Sequence, residues 1–242
     1  HLAKTRRHDE RRFVYTREGV VTGDPNEYHN SIGVDSLQQG STTLYTLDNS
    51  IYEFTTPNDQ YSGTQNILGV YGMFELPITT NLNLIIGARY ESTDMTSRNG
   101  YSPDHAQFKE GSINQNDVLP SVNMVYGLTP TMNLRGAFGR TLARPTLREF
   151  APYASEDFGG SGKLFNGNPN LRRTLIDNYD LRWEWFSRPD EIIAVSGFYK
   201  KFTDPIEVAI VSTNANQLQP QNVDQATVYG AEFEFRRNLG QI

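Results

Sequence analysis

From Asn178 to Trp185 the chain reads NYDLRWEW, and it alternates without a break. Tyr179, Leu181, Trp183 and Trp185 share one parity; Asn178, Asp180, Arg182 and Glu184 share the other. Successive strand side chains point to opposite faces, so this is a strand with one apolar and one charged face. A slip of one residue would exchange the two sets, so the register is strongly specified. Two architectures use such a strand. A transmembrane barrel turns the apolar row to lipid and the charged row to its lumen. A soluble β-sandwich turns the apolar row to a core.

The same period recurs along the chain. Leu68, Val70, Phe74 and Leu76 form one row. Leu82, Leu84, Ile86, Ala88 and Tyr90 oppose Asn83, Arg89 and Glu91. Val122, Met124, Tyr126 and Leu128 oppose Ser121 and Asn123. Met132, Leu134 and Phe138 oppose Asn133 and Arg135. Tyr229, Ala231, Phe233 and Phe235 oppose Glu232, Glu234 and Arg236. Residues 192–201 read as a strand whose faces the pattern leaves undecided.

Brief Pro-containing turns at 77–81, 129–131 and 187–191 join these tracts in pairs. Between the pairs lie polar segments 94–117, 142–173 and 203–225, roughly 24, 32 and 23 residues long and well beyond ordinary hairpin loops. Short turns at one end and long loops at the other favour the barrel. Strands of about 10–12 residues, at about 3.3 Å per residue and a tilt near 45°, would span roughly 25 Å, the height of a membrane barrel's apolar band. The tryptophans and Phe235 stand beside turns, where interfacial aromatic belts form.

Composition narrows the classes. Apolar residues make up 37% and mean hydropathy is −0.57. No apolar run nears the about 18 residues of a spanning helix, which excludes a helical membrane protein and leaves a barrel open. The absence of cysteine excludes a disulfide scaffold and Cys-based zinc sites. A net charge of −6 argues against a nucleic-acid surface. The opening HLAKTRRHDERR has no apolar signal core and no initiating Met, which reads as a processed chain or a piece of a longer one.

Several strings resemble the barrel of TonB-dependent outer-membrane receptors. They are VLPSVNMVYGLTPTMNLRGAFGRTLARPTLREFAPY, GNPNLRRTLIDNYDLRWEWF, GFYKKFTDPIE and VYGAEFEFRRNLG, with NILGVYGMFELPITTNLNLIIGARYEST as an earlier hairpin. The resemblance covers about 66–240; residues 1–65 fit as a first strand and a long outer loop. It implies an all-β, antiparallel up-and-down transmembrane barrel in the outer membrane of a Gram-negative bacterium. It also implies TonB-energised uptake of a siderophore, haem, cobalamin or glycan. Its partners would be the lipid bilayer, its own plug domain, the TonB complex and a small nutrient, with no nucleic acid, cofactor or catalytic role. No plug or TonB box is recognisable, so residues 1–242 are expected to form a single partial barrel of about eight strands. The alternatives are a passive small outer-membrane barrel or adhesin, and a soluble β-sandwich binding glycans.

On the barrel reading, Arg89, Glu91, Arg135, Asp180, Arg182, Glu184, Glu232, Glu234 and Arg236 face the lumen and a plug. Tyr90, Tyr126, Phe138, Tyr179, Trp183, Trp185, Phe233 and Phe235 face lipid. In GRTLARPTLREF, Arg140, Arg144 and Glu149 stand where a strand enters the longest of the three loops. Either Arg144 and Glu149 organise a ligand mouth, or Pro145 and local ion pairs simply lock a turn. Tyr153, Asp157 and Phe158 lie deeper in that loop and either touch ligand or pack it down. GGSGKL at 159–164 lacks the flanking residues of a phosphate loop, and His1, His8, His29 and His105 show no metal-ligand spacing.

Overall fold

The computed structural model describes the strands within residues 2–53 through their backbone pairing. It further describes residues 56–156 (Glu156 by backbone only), 163–188, 190–212 and 217–237. Eight strands dominate: β1 Leu2–Asp9, β2 Gln60–Pro77, β3 Leu82–Asn99, β4 Glu110–Thr129, β5 Met132–Ala143, β6 Thr174–Arg188, β7 Glu191–Thr203 and β8 Gln225–Arg236. They form one sheet in chain order, antiparallel at every pairing, with β1 and β8 at its edges. The result is an up-and-down partial barrel that does not close.

The register gathers the alternating rows into continuous faces. Leu134 pairs with Trp183, Trp183 with Val195, and Val195 with Phe233. Met132, Trp185, Ile193 and Phe235 form the next row, and Phe138, Tyr179, Tyr199 and Tyr229 another. These pairings settle the undecided faces of β7: Ile193, Val195, Gly197 and Tyr199 join the apolar side, and Ala194, Ser196, Phe198 and Lys200 the polar side. Val195, Phe233, Phe235 and Tyr229 remain exposed there, large apolar groups on one face of the sheet.

Tight connections close one end. Thr79 Oγ1 accepts from the Leu82 and Asn81 amides at 3.0 and 3.3 Å, setting the β2–β3 turn. Asp190 takes φ 64° in the β6–β7 turn, a left-handed position that Asp tolerates better than most residues.

The strands exceed the expected 10–12 residues: β2 and β3 run to 18 and β4 to 20. The expected loop 94–117 therefore shrinks to 100–109. The cause is a reversal of the faces. Beyond Glu91 the formerly polar side buries Thr93, Met95, Ser97 and Asn99, while Asp94, Thr96 and Arg98 on the formerly apolar side are solvent-exposed or nearly so. The apolar row that signalled a strand fades there although the ladder continues. Segment 203–225 likewise contains two strands, Ile206–Ser212 and Gln217–Asn222.

A crown folds over the polar face at the long-loop end. After β5, Thr146 caps the one-turn helix α1, Leu147–Phe150. Leu147, Phe150, Ala151, Tyr153 and Leu171 bury themselves against Tyr61, Met95 and Ile113 of the upper strands. Strand Leu164–Asn166 then pairs in parallel with Gln217–Asn222, tying two loops together.

Candidate functional site: the charged wall and its crown

The expected lumen residues share one face, and most neutralise one another. Glu184 accepts from Arg135 Nε and from Arg182 Nε, both at 2.8 Å. Arg182 Nη2 reaches Glu234 at 2.7 Å, and Arg236 meets the other oxygen of Glu234 at 3.2 Å. One network thus crosses β5, β6 and β8, with Ser196 of β7 accepting from Arg182 Nη1 at 3.1 Å. Asp180 and Glu232 lie on the same face as exposed residues without an ion pair among the described residues.

A second network holds the crown. Glu91 accepts from Arg89 Nε and from Arg144 Nη2, both at 2.5 Å, and Arg144 Nε donates to Thr93 Oγ1 at 2.9 Å. Directly across the ladder from Glu91 stands Asp117, whose Oδ1 accepts from Arg173 Nε at 2.5 Å. Arg144 and Arg173 sit at the two ends of the long loop, so neighbouring carboxylates clamp both of its stems. Both carboxylates are buried, at 8% and 5% exposure, and removing either would strand a largely desolvated guanidinium. Outside the strands, Asp204 accepts from Arg172 Nη2 at 2.6 Å and raises that guanidinium above its ordinary pKa.

The other loop residues play packing and capping parts. Glu149 Oε2 accepts from the Thr146 amide and hydroxyl at 2.8 and 2.9 Å, while Thr146 Oγ1 accepts from the Glu149 amide at 3.2 Å. This reciprocal box satisfies amides that the helix itself leaves free. Tyr153 is 4% exposed; its ring lies 4.6 Å from Tyr61 and 6.4 Å from Phe165, centroid to centroid. Arg148 donates to the Tyr153 hydroxyl at 2.9 Å and lies over the Phe165 ring. Asp157 and Phe158 lie outside the described residues. Arg140 pairs with Asp177 through two hydrogen bonds on the Tyr179 side, apart from Arg144.

Sequence reasoning missed Asp117, Arg173 and Thr93, because their roles depend on which residues stand opposite across the sheet. It also missed the glycines that admit the crown. A Cβ on Gly111 would stand 2.7 Å from Pro169 and 2.9 Å from Phe150, and one on Gly63 would stand 2.8 Å from Leu147. Only a residue without a side chain leaves room for that close approach.

Below the crown the polar face forms a cleft of about 460 Å³. Tyr71, Met73, Leu119 and Ser121 line it together with Arg89, Glu91 and Arg144.

An up-and-down antiparallel sheet with an uncovered apolar face, a charged opposite face and a loop crown at one end defines a wall of an outer-membrane-type β-barrel. The chain matches the TonB dependent receptor-like β-barrel description over residues 3–241, and it belongs to that family. Its fold is similar to the hemophore receptor HasR of Serratia marcescens, at 12% identity and a TM-score of 0.61, covering 96% of this chain and 38% of that one. It is also similar to the ferric-catecholate import receptor Fiu of E. coli K12, at 16% identity and a TM-score of 0.53, covering 86% and 31%. The siderophore receptor PirA of Pseudomonas aeruginosa follows at 16% identity and a TM-score of 0.50, covering 79% and 42%. The chain therefore spans less than half the length of each of these receptors. No curated protein matches it.

Proposed function

We propose that this chain is part of the wall of an outer-membrane receptor that imports a scarce nutrient of the siderophore, haem, cobalamin or glycan class. TonB supplies the energy, and the receptor's own plug lies against the charged face. The partition of the seven strands β2–β8 into one apolar and one polar face, within this family, carries the reading. Tyr90, Tyr126, Phe138, Tyr179, Trp183, Trp185, Phe233 and Phe235 face the bilayer of a Gram-negative outer membrane. The lumen residues give a wet wall whose internal ion pairs keep it rigid. Arg144, Glu149 and Tyr153 shape the mouth by fixing the crown, and Asp157 and Phe158 stand further along the same loop.

The named ligands of the similar receptors, a heme-carrying hemophore and a ferric catecholate, support a nutrient receptor rather than an enzyme. The test is the fate of the intact gene product. It is expected in the outer-membrane fraction, with gel mobility that changes on boiling, and with nutrient uptake that disappears when TonB is deleted. A product that stays soluble without detergent, or uptake indifferent to TonB, would overturn the reading.

A further inference from the structure

The sheet of the crown has an open edge. It runs in the order Ala154–Glu156, Leu164–Asn166, Gln217–Asn222 and Ile206–Ser212, so Ile206–Ser212 has a strand neighbour on one side only among the described residues. Antiparallel pairs alternate between those that exchange backbone hydrogen bonds and those whose N–H and C=O point away. Three observations fix the alternation here. The Val223 amide donates to the Pro205 carbonyl at 2.9 Å, which puts the bonded pairs that follow at 207 and 209. Val208 stands opposite Pro220, which has no N–H to give. The Pro220 carbonyl accepts instead from Asn168 Nδ2 at 3.0 Å. Val208 and Ile210 therefore aim N–H and C=O out of the sheet, where no described residue pairs with them.

Proteins guard such edges with very short strands, lysines, prolines or bulges. The other edge of this sheet, Ala154–Glu156, is three residues long. Ile206–Ser212 has seven, IEVAIVS, without Lys, Pro or Gly. Its register is regular from Ile206 to Ile210, and the one irregularity lies at its tip. Ile206 packs on the crown's core, while Val208 and Ile210 of the same face are 53% and 62% exposed. Glu207, its one charged residue, is exposed on the opposite face and has no ion pair among the described residues. Only a polypeptide offers donors and acceptors at the two-residue repeat of about 6.8 Å that this edge presents. The strand that fits it is apolar at alternate positions and basic opposite Glu207.

We propose that Ile206–Ile210 is a docking edge, at which an extended segment of a partner protein adds a strand to the crown. Backbone bonds to Val208 and Ile210 supply affinity, and the Val208–Ile210 row together with Glu207 selects the segment. The partner's place outside the cell rests on the proposed function; the edge itself does not.

The test uses the fluorescein-labelled, amidated peptide TVKVTVT and the intact receptor, purified in detergent, with fluorescence anisotropy as the readout. The peptide is expected to bind saturably and to protect the Val208 and Ile210 amides from hydrogen exchange. A counterpart N-methylated at every residue keeps the side chains, donates no backbone hydrogen bond, and is expected not to bind. Glutamate in place of the peptide's lysine is expected to weaken binding. Val208→Pro removes one outward N–H and spares the inner ladder, so it is expected to weaken binding by about tenfold or more, while Val208→Ile leaves it unchanged. Retained exchange protection of the Ala209 amide shows the hairpin intact in Val208→Pro; if the hairpin opens, the two peptides on the wild type decide. The proposal is overturned if the wild type binds no peptide, as it would if another loop of the intact receptor already paired with this edge. It is equally overturned if the N-methylated peptide binds as well, if an intact Val208→Pro hairpin binds undiminished, or if the peptide acts by separating two receptors joined at this edge. Boiling-dependent mobility is scored on the same preparations. A properly inserted receptor that ignores the peptide removes only the docking edge, whereas failure to insert removes the functional reading.

Discussion

Replacing Phe150 by Ala should release the crown while leaving the sheet intact. Phe150 is fully buried and sits against Gly111, where a Cβ would approach its ring to 2.9 Å. Its neighbours Met95 and Ile113 belong to the ladder between β3 and β4, which cannot collapse inward to fill the space. Burial of this kind lost without relaxation costs about 3–5 kcal/mol. The arginine clamps at Glu91 and Asp117 survive the change, so the loss falls on local opening of the crown. Hydrogen exchange on the intact protein in detergent reads it directly. Amides of residues 146–153 should lose protection by about 10²- to nearly 10⁴-fold if the full cost appears locally, because local and global opening are separate processes. Amides of residues 118–138 should keep theirs. Unchanged protection in the crown would show that Phe150 does not hold it down. A uniform loss through the sheet would show that crown and wall unfold together, against the argument for a separately docked loop.

Three more outcomes test the wall. Val195→Arg, centred on the apolar face between Trp183 and Phe233, should cost about 2–4 kcal/mol in urea unfolding from liposomes, while Ser196→Arg, one residue on, should cost far less; equal costs would refute the assignment of faces. Lipids carrying quenchers at the headgroup or upper acyl chain should quench Trp183 and Trp185, and full fluorescence would place both rings away from lipid. Asp117→Asn should leave Arg173 without its charge partner and cost about 1.5–3 kcal/mol, read as faster proteolysis near the loop's second stem; an unchanged cleavage rate would remove the clamp from the account.

The faces of β3, β5, β6 and β8 were legible from parity alone, because a strand's period of two admits only two assignments. The charged and apolar residues named from that parity fall on opposite sides of the sheet. β7 was not legible, since Phe198 is apolar on the polar side and Gly197 is featureless on the other. Pairing with β6 and β8 fixed it. The upper halves of β3 and β4 were hidden for a related reason: where Met95 and Ile113 turn beneath the crown, the apolar residues change sides and the row breaks. In the long loop, the capping box at Thr146 and Glu149 is a signature within four residues that the reading of the sequence passed over. The clamp of Arg173 on Asp117 spans 56 positions and has no such signature.

What the sequence determined by itself is therefore the set of contacts within reach of one strand or one turn: parity, turn chemistry, caps and the charge of each row. Only the tertiary structure decided which charges meet. Register places Glu91 opposite Asp117 and brings both ends of a distant loop to them. Electrostatic balance is a property of distances between residues far apart in the chain, and no local pattern encodes it.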